Sequence, residues 1–177
     1  MKKEKILIRI LLLTSILCFG QNNNLEDWTI NEKAQYLKLT ELAQYVSGKQ
    51  KAEISKDTLF DKFVYFDYVI NDTDIERRER RFAAFDTLFY RFRKMVDSVG
   101  IENLDAKPIR FYKNTEIYES FDDELTEFAP YVLAYYKKED AENPLGTLLF
   151  EPKTNKLLAW IMIDQGGYKY FLIFNLF

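Results

Sequence analysis

Histidine is missing from this chain of 177 residues, and cysteine occurs once, at Cys18. Those two absences exclude His-based acid/base pairs, Ser/His/Asp triads, Cys/His dyads, Cys-x-x-Cys redox sites and the usual zinc ligand sets. Also missing are a Gly-x-Ser-x-Gly elbow, a Ser-x-x-Lys box and a Walker A loop. Proline is absent before Pro108, and from residue 21 to residue 145 the only glycines are Gly48 and Gly100. The first half therefore has few breakers and the second half has most of them. Excess positive charge is lacking too: the net charge is −3, which argues against nucleic acid as a partner, because that affinity comes mainly from neutralising phosphates. What is present is 47% apolar, 16% aromatic and 30% charged, the composition of an ordinary globular chain.

The first twenty residues read as a targeting segment. Residues 1–5 hold three lysines against one glutamate, and residues 6–19 are apolar except for Arg9, Thr14 and Ser15. That run is short of the ~20 apolar residues that span a bilayer. With Gly20 as the small residue at its end, the segment resembles a bacterial Sec signal peptide cleaved before Gln21. The expected organisation is a signal peptide over 1–20 and a single α+β domain over 21–177. Leu17 stands before Cys18 where a lipobox has a small residue, so lipidation at Cys18 is not expected. The product is expected in the periplasm or outside the cell, with no membrane-spanning segment after cleavage. Cleavage leaves 21 basic side chains (25 less four) and 27 acidic ones (28 less one), a net charge of −6. Without cysteine, the mature chain has no disulfides and must rely on its core.

Thr29 with Glu32 has capping-box spacing ahead of Ile30, Ala34, Leu37, Leu42 and Val46, which predicts a helix over 30–47 stopped by Gly48. Residues 59–70 are open to two readings: their Phe, Tyr and Val content suits a strand, whereas Leu59, Phe63, Phe66 and Ile70 fall on one helical arc, and the spacing predicts a helix. Thr73 with Glu76 repeats the capping-box spacing before Ile75, Phe82, Phe85, Phe89, Phe92 and Val96, predicting a helix that ends at Gly100. Beyond Gly100 the pattern predicts a short strand over 109–112 and a helix over 116–128. An antiparallel meander over 131–136, 145–150, 157–163 and 168–177 follows, with a hairpin turn at Gly166–Gly167. The run 157–163 does not alternate, so it is expected to be a central strand covered on both faces, with Trp160 and Ile161 on opposite sides. The fold class is thus α+β, N-terminal helices on a C-terminal antiparallel sheet of four to five strands. In element order it resembles the NTF2-like and cystatin-like architectures.

Six acids fall within residues 116–127, but helical spacing fans them along a solvated face, whereas Ca²⁺ needs converging oxygens. No metal and no cofactor are expected. The helix after Thr73 breaks its own pattern: on a 100° wheel Arg78 and Arg81 fall within the apolar arc. If 59–70 is a helix joined to it by a tight turn, Asp67 comes opposite Arg78. That arrangement pairs Asp67 with Arg78, or else leaves Arg78 and Arg81 as a fork for an anionic ligand. Asp67, Arg78 and Arg81 are therefore the candidate ligand-binding residues, and no catalytic residue is singled out. The reading that follows is a secreted or periplasmic non-enzymatic binding module for a protein or small-molecule ligand, with self-association through the sheet as a further expectation. The rival is a carboxylate-based hydrolase of cell-envelope or dietary polysaccharide, which requires two carboxylates facing each other across a cleft.

Overall fold

Local chemistry sets the ends of the two long helices. The computed structural model describes residues 25–174; the targeting segment lies outside them. Helix α1, Ile30–Val46, opens on a reciprocal cap. The Thr29 hydroxyl accepts from the Glu32 N–H at 3.2 Å, and the Glu32 carboxylate accepts from the Thr29 N–H at 2.7 Å. Gly48 follows with φ +69°, a left-handed conformation that costs glycine nothing. Ile30 and Leu37, expected inside, are exposed, while Glu32 and Gln35 are buried beside Leu42 and Val46. The amino-terminal half of α1 therefore docks through polar groups and the carboxy-terminal half through apolar ones.

The expected helix over 59–70 is two helices with an extended joint. Helix α2 is Lys56–Lys62 and helix α3 is Asp67–Ile70. Between them Phe63 closes α2 and Phe66 opens α3, and Val64 and Tyr65, β-branched and aromatic, suit the pairing that joins them. Val64 forms a parallel bridge with Leu157. The Leu157 N–H donates to the Phe63 carbonyl at 2.7 Å, and the Tyr65 N–H to the Leu157 carbonyl at 2.9 Å. A continuous helix would have forfeited this pairing. Helix α4, Ile75–Val99, starts one residue later than the capping-box spacing suggested, because Asp74 rather than Thr73 is its cap and accepts from the Arg77 N–H at 3.0 Å. It stops at Gly100, φ +85°.

Strands β1 (Leu104–Pro108), β2 (Val132–Lys137), β3 (Gly146–Phe150) and β4 (Leu157–Ala159) form one antiparallel sheet in that order. Strands β5 (Met162–Gln165) and β6 (Tyr168–Phe171) form a separate hairpin around Gly166 and Gly167, φ +68° and +90°. The meander is as expected, but it is six strands in two sheets. The run 157–163 is no central strand: β4 ends at Ala159, and the chain turns at Trp160 and Ile161 to enter the hairpin. Both of those side chains pack on the helix side.

The strand expected over 109–112 is a 3-10 helix, Ile109–Tyr112, because Pro108 lacks the N–H that would continue the ladder. The helix expected over 116–128 is replaced by two 3-10 helices, Glu116–Phe121 and Thr126–Tyr131. Ser120, Asp122, Asp123 and Thr126 favour turns by competing for backbone hydrogen bonds, and Pro130 removes a donor. The expected apolar side nevertheless survives, since Phe121 and Leu125 are buried. Together these parts make three layers. One core cluster lies between the helices and the sheet, with Phe60, Phe66, Phe85, Phe89, Leu133, Leu148 and Phe174. The second lies between the sheet and the 3-10 helices, with Ile109, Tyr112, Phe121, Leu125, Val132 and Leu149. Alternate residues of β2 and β3 feed the two clusters, which is why those strands are apolar on both faces.

Candidate functional site

The arginines singled out by the helical wheel are drawn into the structure of the α3–α4 turn. Asp72, not Asp67, is the carboxylate between the two helices. Its oxygens accept from Arg77 Nε and from an Arg77 terminal nitrogen, each at 2.6 Å, and lie 3.4 Å from Arg81 Nη1. Hydrogen bonds from Arg77 hold the Asp72 carboxyl down at about 2, with burial opposing and the Asp74 N–H and the charges of Arg77 and Arg81 assisting. The Asp67 to Arg78 pair does not form. With residues 59–70 broken at Phe63 the antiparallel helical hairpin is lost, and Asp67 lines a surface hollow with Lys56 and Lys156 instead. Arg78 is half-buried on α4, and Arg81, 19% exposed, is tied to Asp72. The anion fork is thus not assembled from Arg78 and Arg81. What signalled the Asp72 pairing was the Asn71-Asp72-Thr73-Asp74 run, whose turn places a carboxylate over the first turn of α4.

A different concavity lies where α1 and α4 diverge above the sheet. Its walls are Tyr36, Leu39, Leu42, Ala43 and Val46 of α1, then Phe89, Phe92 and Val96 of α4, with Ala106, Tyr135 and Leu148 as the floor. The cavity measures about 80 Å³ and its lining is almost wholly apolar. Two charged side chains reach it, Asp105 from β1 and Arg93 from α4.

Asp105 is buried and internally satisfied. It accepts from the Tyr36 hydroxyl at 2.8 Å and from the Ala106 N–H at 2.8 Å. Burial raises its carboxyl above the usual aspartate value, only partly countered by those bonds and by Lys138. Burial also raises the Tyr135 phenol. At the other end Arg93 caps the carboxy terminus of α1, donating from one terminal nitrogen to the carbonyls of Val46, at 3.3 Å, and Lys49. Its Nε is buried and has no hydrogen-bond partner among the described residues.

Glu32, a buried acid of α1, lies outside this lining. Arg110 Nε donates to it at 2.7 Å and an Arg110 terminal nitrogen at 3.0 Å. Burial pushes the Glu32 carboxyl up, but the bonds from Arg110 and Thr29 and the Arg110 charge prevail and leave it lowered. Asp105 is therefore the one carboxylate among the residues lining the cleft. The acids over 116–127 are exposed on the two 3-10 helices and the turn between them. Among the described residues no group of three or more His, Cys, Asp or Glu is placed to hold a metal ion, and no helix is long and apolar enough to cross a membrane. Nothing in the sequence marked Arg93 as the polar group of an apolar cleft, although its place among Phe89, Phe92 and Val96 set it beside the core face. Comparison of the chain with protein-family models, curated proteins and solved structures finds no match.

Proposed function

We propose that the protein is an exported, non-enzymatic binding module that takes an apolar group into the cleft between α1, α4 and the sheet. The observation that carries this reading is the lining itself: apolar walls with one internally bonded carboxylate. Ligand sites are concave and mostly apolar, with a few placed polar groups. A glycosidic hydrolase needs a second carboxylate across the cleft from the first, and the lining offers Asp105 no such counterpart.

The cleft is tested by adding 3-methyl-1-butanol, a small neutral apolar probe, to the labelled protein and following its amide resonances. The expected result is saturable shifts at Ala43, Val46, Val96 and Leu148, abolished in Ala43→Leu, which fills the cavity. Shifts scattered away from these residues would remove the cleft from consideration. Export is tested by the mass of secreted material, expected to begin at Gln21 with residues 1–20 lost. A diacylglycerol adduct on Cys18 would replace that proposal with a lipid-anchored protein.

A further inference from the structure

Resting on the cleft as the binding site, we propose that its ligand is a short aliphatic carboxylate, the hydrocarbon lying between α1 and α4 and the carboxylate accepting from Arg93 Nε. The first argument is the unmet donor. A buried guanidinium N–H without an acceptor is costly, and more so because the group is charged. Arg93 Nε is in that state, while one terminal nitrogen of the same guanidinium is committed to Val46 and Lys49. Those two bonds anchor the head group, and the Nε donor is left unmet beside apolar walls.

The second argument is the local charge. Arg93 and Phe89 form a partition, since they line both the cleft and a smaller hollow on its far side. That hollow is bounded by Lys51, Lys56 and Asp86. Both lysines approach the same carboxylate, at 3.6 and 2.9 Å. Two lysines therefore share one carboxylate, with Arg93 lining the same hollow, and the local charge favours a second anion. The opposite charge in the cleft is already engaged elsewhere. Asp105 is held by Tyr36, which precedes by ten residues on α1 the Val46 whose carbonyl binds Arg93. Asp105 also has its partners already, so it makes no demand on a ligand.

The third argument is size. The cleft is small, about 80 Å³, and open to solvent, which suits a short branched hydrocarbon better than a long acyl chain lying wholly inside it. A branched four-carbon tail, as in 3-methylbutanoate, fits this description with modest movement of the walls.

The test uses the full mature chain and three ligands that share one tail: 3-methylbutanoate, 3-methyl-1-butanol and 3-methyl-1-butylamine, with dissociation constants from amide-resonance titration. The carboxylate is expected to bind at least tenfold more tightly than the alcohol, and the amine more weakly still. Arg93→Lys keeps the charge but not the Nε donor, and it should bring the carboxylate to within about threefold of the alcohol. Circular dichroism shows whether that variant is folded, and the ligand series on the unsubstituted protein decides the matter if it is not. Equal binding of carboxylate and alcohol at the cleft overturns the head-group assignment while leaving the binding cleft in place, and means that water satisfies Nε. Absence of shifts at the lining residues with all three overturns the cleft itself. Carboxylate binding that survives Ala43→Leu lies elsewhere on the surface and overturns the assignment as well.

Discussion

On one face of the β1–β4 sheet lie α-helices with side-chain caps, and on the other lie 3-10 helices of six residues or fewer and the β5–β6 hairpin. The helical face is held by interlocked rings: Phe85 touches Phe60, Phe66, Phe89, Trp160 and Phe174 at centroid distances of 5.0 to 5.9 Å. The 3-10 face has fewer ring contacts and is tied down by polar hooks. Tyr112 donates to the Ala141 carbonyl at 2.7 Å, Arg110 bonds Glu32, and the Gln35 amide donates to the Pro130 carbonyl at 3.3 Å. Two of those hooks are side chains of α1. The helical layer carries its own order, whereas the 3-10 layer borrows part of its order from the helices across the molecule.

The largest test of this contrast is a matched pair of ring deletions, because Phe85 and Phe121 are each 1% exposed. Phe85→Ala should cost about 4 to 5 kcal/mol and Phe121→Ala about 3 kcal/mol, since irregular turns collapse onto a void more readily than packed helices do. Urea unfolding midpoints measure both, and a larger cost at Phe121 would reverse the comparison. Next comes the tether. Arg110→Ala strands the Glu32 carboxylate, and with Arg110 partly exposed the loss should be about 1 to 2 kcal/mol. Hydrogen exchange should then quicken in Ile109–Tyr112 and leave the middle of α4 unchanged; equal acceleration in both would mean that the layers do not differ.

The smallest effect is expected from acid, and two aspartates answer it in opposite senses. Asp72 titrates at about 2 in the folded chain, below its unfolded value near 4. Its contribution is complete above that unfolded value and disappears as the pH falls toward 2. Asp105 is raised by burial, so its charged form opposes folding, and that cost is relieved as the pH falls through its folded value. Melting curves of Asp72→Asn from about pH 7 down to about pH 3 should show a shallower acid loss than the unsubstituted chain, and those of Asp105→Asn a steeper one. Parallel curves for all three would refute the assignment of the shifts.

What could be read from the sequence was whatever neighbouring residues decide among themselves. The Thr29 and Glu32 box, the stops at Gly48 and Gly100, and the Gly166–Gly167 turn are contacts within four residues, and each is present as expected. Strands 131–136 and 145–150 were legible for the same reason, within a residue at their ends. The break at Phe63–Tyr65 was not, because the hydrogen bonds that favour it come from Leu157. Nor was the choice of 3-10 turns over 116–128, where the apolar spacing suits a helix and the Ser, Thr and Asp content opposes one. Among the arginines of α4 the wheel drew attention to Arg78 and Arg81. By the same 100° step from Arg77, Arg93 lies at about 160°, just past Phe82 at about 140°. At that border a guanidinium can lay its stem on the core and bring its head to whatever the next element supplies. Only the packing of α1 brought the Val46 and Lys49 carbonyls there.

The pairing of Val64 with Leu157 also has a meaning in time. The two residues are 93 positions apart (157 less 64), so at synthesis rates of about 5–20 residues per second the first waits on the order of 5 to 20 s for the second. During that interval α2, α3 and α4 can stack Phe60, Phe66 and Phe85 on one another, but the side of that cluster meant for Leu133, Leu148 and Trp160 has nothing to cover it. The nascent chain therefore keeps this apolar surface uncovered until the strands that carry Leu133, Leu148 and Leu157 have emerged.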